Sequence, residues 1–131
     1  MIETHAIRLR GPWECEINGT APRRVHMPAA LFEILDGEHQ GSLICRRPFG
    51  CPTCLDPHER VWLVIDGPAL SGDADLNGEP LGRIDTAGHR IEFDITNRLR
   101  ERNELILNFD FSAPQPTDAF LFADVRLEIR G

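Results

Sequence analysis

Apolar and polar residues alternate with a period of two through much of the chain. The last run is the most regular, with Leu121, Ala123, Val125, Leu127 and Ile129 on one side and Phe122, Asp124, Arg126, Glu128 and Arg130 on the other. That spacing predicts a strand with one face on a core and one in water. Leu105, Leu107, Phe109 and Phe111 share a face in the same way, and Ile91, Phe93 and Ile95 alternate with Glu92 and Asp94. Residues Arg60-Val61-Trp62-Leu63-Val64-Ile65-Asp66 differ, forming a continuous β-branched and aromatic run closed by Gly67-Pro68. This predicts a strand at the centre of a sheet, covered on both faces.

Turn chemistry divides these runs. Asn77-Gly78 between Asp73-Ala74-Asp75-Leu76 and Glu79-Pro80-Leu81-Gly82-Arg83-Ile84 supplies the two positive-φ residues of a type I′ hairpin. Pro80 cannot donate to a ladder, so the return strand is expected at an edge. Thr96-Asn97 is expected to cap a short helical turn through Leu99. Residues 112–118, with Pro114 and Pro116, read as a loop. In the N-terminal third, Ala6 to Leu9, Glu14 to Ile17 and Ser42 to Arg47 resemble short strands, and Leu31 to Leu35 a helical turn. About eight short strands with almost no helical period predict an all-β fold, an antiparallel β-sandwich. At 131 residues, with no internal repeat or linker, the chain reads as one domain over 1–131.

Charge narrows the function. Fourteen Lys and Arg against 21 Asp and Glu give a net charge of −7, the wrong sign for counterion release on nucleic acid or attraction to anionic lipid. No apolar run exceeds five residues, the length of Val61 to Ile65, so no membrane span is expected. The start, Met1-Ile2-Glu3-Thr4-His5, lacks the basic and apolar regions of a secretory signal, and a cytoplasmic location is the expectation.

The residues that make these elements also resemble a known family. Glu59-Arg60-Val61-Trp62-Leu63-Val64-Ile65-Asp66-Gly67, Ala74-Asp75-Leu76-Asn77-Gly78-Glu79-Pro80-Leu81-Gly82, Phe93-Asp94-Ile95-Thr96 and Asn103-Glu104-Leu105 follow one another in order. They are similar to the strand ending in DG, the V-x-L-N-G-x-x-L-G hairpin, F-x-F-D-I-T and N-x-L of the N-terminal sugar-binding domain of family 2 glycoside hydrolases, which include β-galactosidases and β-glucuronidases. Leu9-Arg10-Gly11-Pro12-Trp13-Glu14 and Arg46-Arg47-Pro48-Phe49 also look like their counterparts, and the similarity covers residues 7 to 130. It implies a jelly roll of the galactose-binding-domain-like type and a carbohydrate-associated role. In those enzymes a TIM barrel carries the two catalytic glutamates. The W-x-x-S-G-I-x-R stretch near the barrel has no match here, and Thr86-Ala87-Gly88-His89 stands where Gly-Gly-Tyr is usual. The resemblance therefore implies a stand-alone, non-catalytic domain.

Candidate chemistry is sparse. Glycoside cleavage needs two carboxyls roughly 5–10 Å apart flanking one bond, and no pair stands out; Asp73 and Asp75 read as solvated neighbours on one strand face. There is no Gly-x-Ser-x-Gly and no phosphate-cradling glycine loop, so no catalytic residue and no cofactor is expected. Cys45, Cys51, Cys54 and His58 form a C-x5-C-x2-C-x3-H array, a spacing that admits a structural zinc site or a reversible Cys51–Cys54 disulfide. Reduced, inert thiols are the expectation outside an oxidising compartment, and Cys15 reads as a small buried hydrophobe.

For a sugar, the candidate polar contacts are His26, His39, His89 and Arg90, placed on predicted loops. An aromatic platform is harder to find, because there is no Tyr and both Trp62 and Trp13 are expected in the core. The alternative is a protein-interaction or homo-oligomerising module on the same fold. It is motivated by Phe120 and by Phe122, which falls on the otherwise polar face of the last predicted strand.

Overall fold

The computed structural model describes residues 4–35, 40–52, 55–85, 89–112 and 120–131. Two antiparallel sheets form a sandwich. One has the order β1 (Thr4–Arg8), β10 (Asp124–Arg130), β5 (Arg60–Asp66), β8 (Arg90–Asp94). The other runs β3 (Arg23–Val25), β2 (Trp13–Ile17), β4 (Gln40–Gly50), β9 (Arg102–Ser112), β6 (Gly72–Leu76), β7 (Glu79–Ile84). A five-residue helix, α1 (Leu31–Leu35), and a 3-10 turn at Thr96–Arg98 complete the ordered elements.

The alternation places these strands. Val61, Leu63, Ile65, Val125 and Leu127 of one sheet meet Trp13, Leu43, Leu105, Leu107 and Phe109 of the other in a single buried cluster. The longest ladder pairs β4 with β9 from Gln40↔Ser112 to Gly50↔Arg102. Asn77 and Gly78 have φ of +54° and +82°, which fits the I′ hairpin, and β7 with its Pro80 is an edge strand.

β5 lies between β10 and β8 and is covered on both faces, although by different chemistry. Val64 is 0% exposed yet stands outside the core cluster. Its register neighbours on the outer face are Arg126 and Glu92. There Arg126 binds Asp66, Asp124 (2.9 Å) and Glu128 (2.7 Å), and Arg130 binds Glu92 and Glu128. The Arg130 guanidinium also lies 4.8 Å from the Trp62 ring centre. An ionic layer thus does on this face what side-chain packing does on the other.

Four expectations are corrected. Trp62 belongs to this outer face, half-buried under Arg130, rather than to the core; Trp13 is the core tryptophan, its Nε1 donating to the Leu9 carbonyl at 2.6 Å. The last strand begins at Asp124 rather than Leu121. Phe122 precedes it and is 0% exposed, packed on Trp13 and Phe109 at centroid distances of 6.2 and 5.7 Å, so it offers nothing to a partner. Thr96 does not cap its turn: Ile95 holds the cap position, and the Thr96 hydroxyl accepts from Val61 N at 2.8 Å and donates to Asp94 at 2.7 Å, tying the turn to β5.

Candidate functional site

Three short segments enclose a cleft of about 600 Å³. The first wall is β3 and its continuation, bringing Arg23, Arg24 and His26. The second is the stretch from Pro28 into α1, bringing Glu33. Arg23 joins them, since its Nη2 donates to the carbonyls of Glu33 (3.0 Å) and Ile34 (2.6 Å), which lack partners within so short a helix. The third wall is Phe120, held by an antiparallel bridge to Ala30. Beside it the buried Leu121 donates to the Ala29 carbonyl at 3.0 Å and accepts from Ala69 at 2.9 Å. Leu121 and Phe122 are anchored inward, so Phe120 is left 53% exposed at the mouth.

The lining includes an aromatic residue, a histidine and two arginines against one carboxylate. All three of Arg23, Arg24 and His26 are exposed, and Arg23 is the one whose guanidinium is tied to the α1 carbonyls. In a chain of net charge −7, this is a locally basic lining. Among the described residues lining the cleft, Glu33 is the single carboxylate.

Of the sequence candidates, His26 lies in the cleft. His89 is exposed just before β8, where its carbonyl accepts from Gly67 at 2.9 Å. Arg90 is not on a loop: it opens β8, and its Nε donates to Asp66 at 2.7 Å. Neither lines the cleft with His26, and His39 lies outside the described residues. Phe120, Arg23 and Arg24 were not among the predicted sugar contacts. The signal for Phe120 was present, but alternation alone could not separate it from Phe122.

The carboxylates of the outer ionic face are tuned by that face. Burial alone would raise Asp66, but hydrogen bonds from Arg126 and Arg90 outweigh it and hold the carboxyl below its usual range. Glu128 is likewise held down by Arg130 and Arg126 against its burial, and Asp94 by Thr96 and Arg60. Such shifts follow from opposite charges and donors at contact distance. They report a structural network rather than an acid–base pair.

The cysteine array is not a single site. Cys45 sits in the middle of β4 with its thiol in the core, and six extended residues place Cys51 about 20 Å along the chain. One tetrahedral ion cannot reach both. Cys54 lies outside the described residues. Among the described residues no group of three His, Cys, Asp or Glu is placed to hold a metal, and no helix is long and apolar enough to cross a membrane.

No protein-family model and no curated protein matches the chain. Solved structures do. A β-glucuronidase from an uncultured Clostridium sp. superposes with a TM-score of 0.80 at 16% identity, over 96% of this chain and 29% of that one. Bifidobacterium dentium β-glucuronidase, solved with coumarin-3-O-glucuronide, gives 0.76 at 18%, over 96% and 30%. A β-glucuronidase from glycoside hydrolase family 2 gives 0.77 at 16%, over 97% and 18%. The chain spans less than a third of each of these proteins. At such identities the likeness is one of fold: the chain is built as a β-sandwich domain of the kind found within family 2 glycoside hydrolases.

Proposed function

We propose that this chain is a non-catalytic carbohydrate-binding module whose site is the cleft between β3, α1 and Phe120. The observation that carries the reading is the exposed Phe120 ring at the mouth of a cleft that also presents His26 and Arg24. Pyranose C–H groups pack on an aromatic face, while a few convergent polar groups hold the hydroxyls. The volume of about 600 Å³ suits one or two sugar rings. The fold it shares with domains of β-glucuronidases adds a carbohydrate context.

The reading is non-catalytic because the described residues of the cleft bring a single carboxylate, Glu33, where cleavage of a glycosidic bond uses two. It includes a reducing, cytoplasmic setting, in which Cys15, Cys45 and Cys51 are thiols. Protein association through Phe122 is not carried forward, since that ring is consumed by the core.

Calorimetric titration against mono- and oligosaccharides, including β-galactosides and β-glucuronides, tests the proposal. Saturable heats are expected for at least one sugar, and flat profiles at millimolar ligand throughout would remove the reading.

A further inference from the structure

We propose that Cys15 and Cys45 form a peroxide-oxidisable pair that closes into a cross-strand disulfide inside the sandwich. The two residues are direct partners in the β2–β4 ladder, and their sulfurs lie 3.5 Å apart. The ladder runs without a shift from Glu14↔Arg46 to Ile17↔Leu43. Its parity follows from its end, where Asn18 N donates to the Ser42 carbonyl at 3.0 Å. That makes Asn18 and Ser42 a hydrogen-bonded pair. Directly opposed pairs alternate in type, so Ile17/Leu43 is non-hydrogen-bonded, Glu16/Ile44 hydrogen-bonded and Cys15/Cys45 non-hydrogen-bonded. In such a pair the Cα atoms stand about 4.5 Å apart, inside the window of about 4.4–6.8 Å that a disulfide spans. Closing the sulfurs to bonding distance takes side-chain rotation and no slip of either strand.

The surroundings divide the chemistry between the two thiols. The hydrogen bond with Cys45 holds Cys15 below the ordinary thiol value against its burial, helped by the charge of Arg23, its register partner on β3. Cys45 is pushed the other way by that same hydrogen bond and by burial. The positive charge of Arg23 stands opposite Cys15 rather than Cys45, which makes Cys15 the attacking sulfur and Cys45 the one that keeps its proton until the second step. With exposures of 2% and 0%, the pair is closed to bulky disulfides, so an oxidant that reacts with it must be close to water in size. Hydrogen peroxide meets that requirement. The Cys15 thiolate takes one peroxide oxygen, becoming a sulfenic acid and releasing hydroxide. Cys45 sulfur then displaces the sulfenic oxygen as hydroxide, which leaves as water with the Cys45 proton. The sum is two thiols and one peroxide giving one disulfide and two waters. The bond pins β2, the strand that carries β3 and hence Arg23 and Arg24, but the inference stands whether or not the cleft binds sugar.

The test uses the wild-type chain in its native fold, treated with hydrogen peroxide, quenched, denatured in an alkylating reagent and digested. A linked peptide pair containing Cys15 and Cys45, lighter by two hydrogens and lost on dithiothreitol treatment, is the expected product in most molecules. Recovery of Cys15 and Cys45 as alkylated thiols while Cys51 is oxidised in the same digest would overturn the proposal. So would sulfinic or sulfonic acid at either residue without the link. In Cys45→Ser the sulfenic acid on Cys15 has no resolving thiol, so dimedone added as the peroxide-treated, quenched protein is unfolded is expected to label Cys15 severalfold more than in wild type; unchanged labelling contradicts the mechanism.

Discussion

The side-chain amide of Asn77 donates to the side-chain oxygen of Asn103 at 3.0 Å. This one bond joins the tip of the β6–β7 hairpin to the entrance of β9. Asn77 adds bonds to Glu104 N (2.9 Å) and the Arg98 carbonyl (3.2 Å). Asn103 accepts from Arg100 N (2.8 Å) and donates back to its carbonyl (2.9 Å). Asn103 is the one buried polar residue among those described, 4% exposed, and its amide is satisfied on both sides. The asparagine of the N-G and N-x-L motifs is thus explained by hydrogen bonding alone, without a ligand.

Removing that amide strands several groups at once. Asn103→Ala is expected to lower unfolding free energy by about 2–3 kcal/mol, since each orphaned buried polar group costs about 1–3 kcal/mol. Urea denaturation checks it, and a change below about 0.5 kcal/mol would show that water replaces the asparagine without loss.

The two neighbouring phenylalanines should separate cleanly. Phe122→Ala empties a core position between Trp13 and Phe109 and is expected to cost about 3–5 kcal/mol. Phe120→Ala removes an exposed ring and is expected to stay within about 1 kcal/mol. Comparable losses for both in thermal melts would contradict the burial assigned to each.

Acid stability follows from the ionic face. Asp66 and Glu128 have folded values below the usual 3.8 and 4.5, so folding releases protons. The stability they add is complete above those usual values and is lost as pH falls through the lower folded ones. Unfolding free energy is therefore expected to be flat near neutrality with respect to these groups and to decline below about pH 4.5. Arg126→Met removes the cation shared by Asp66, Asp124 and Glu128, leaving Asp66 with Arg90 and Glu128 with Arg130. It is expected to cost about 2–4 kcal/mol at pH 7 and to become more stable, relative to wild type, on acidification. Denaturation from pH 7 to pH 3 checks both slopes, and parallel curves for the two proteins would contradict the network.

Gly72 sits where β6 presses on β9, and a Cβ there would come within 1.8 Å of the Asn108 carbonyl oxygen. Backbone cannot yield as a flexible side chain can. Gly72→Ala is expected to lower the melting midpoint by at least about 5 °C, whereas Gly78→Ala, with open space at its Cβ, pays only for its positive φ and is expected to lose less.

These predictions also mark what the chain's pattern made legible. Alternation identified the core faces of β9 and β10, and Asn77-Gly78 and Pro80 located the hairpin and the edge, because each is a local property of a few residues. Alternation does not report where a strand begins, and Phe122 was therefore placed on the wrong side of a strand that starts at Asp124. Nor does it distinguish a strand covered by side-chain packing from one covered by ions, which is how Trp62 came to be expected in the core. The cleft was the least legible feature. It depends on the three-residue β3, on α1 and on Phe120, segments far apart in sequence and joined by an isolated bridge and by Arg23 donating to backbone carbonyls.

The most direct test of the proposed cleft is residue-level mapping of the bound sugar by amide chemical shifts, in wild type and in Phe120→Ala. Titration with the saccharide that gives the strongest calorimetric response is expected to move the amides of residues 23–34 and 120. In Phe120→Ala the affinity is expected to fall by about tenfold or more, the loss of roughly 1.4 kcal/mol of ring contact, with the remaining spectrum unchanged. Shifts confined to another surface, or full affinity without the Phe120 ring, would contradict the assignment of the cleft as the sugar site.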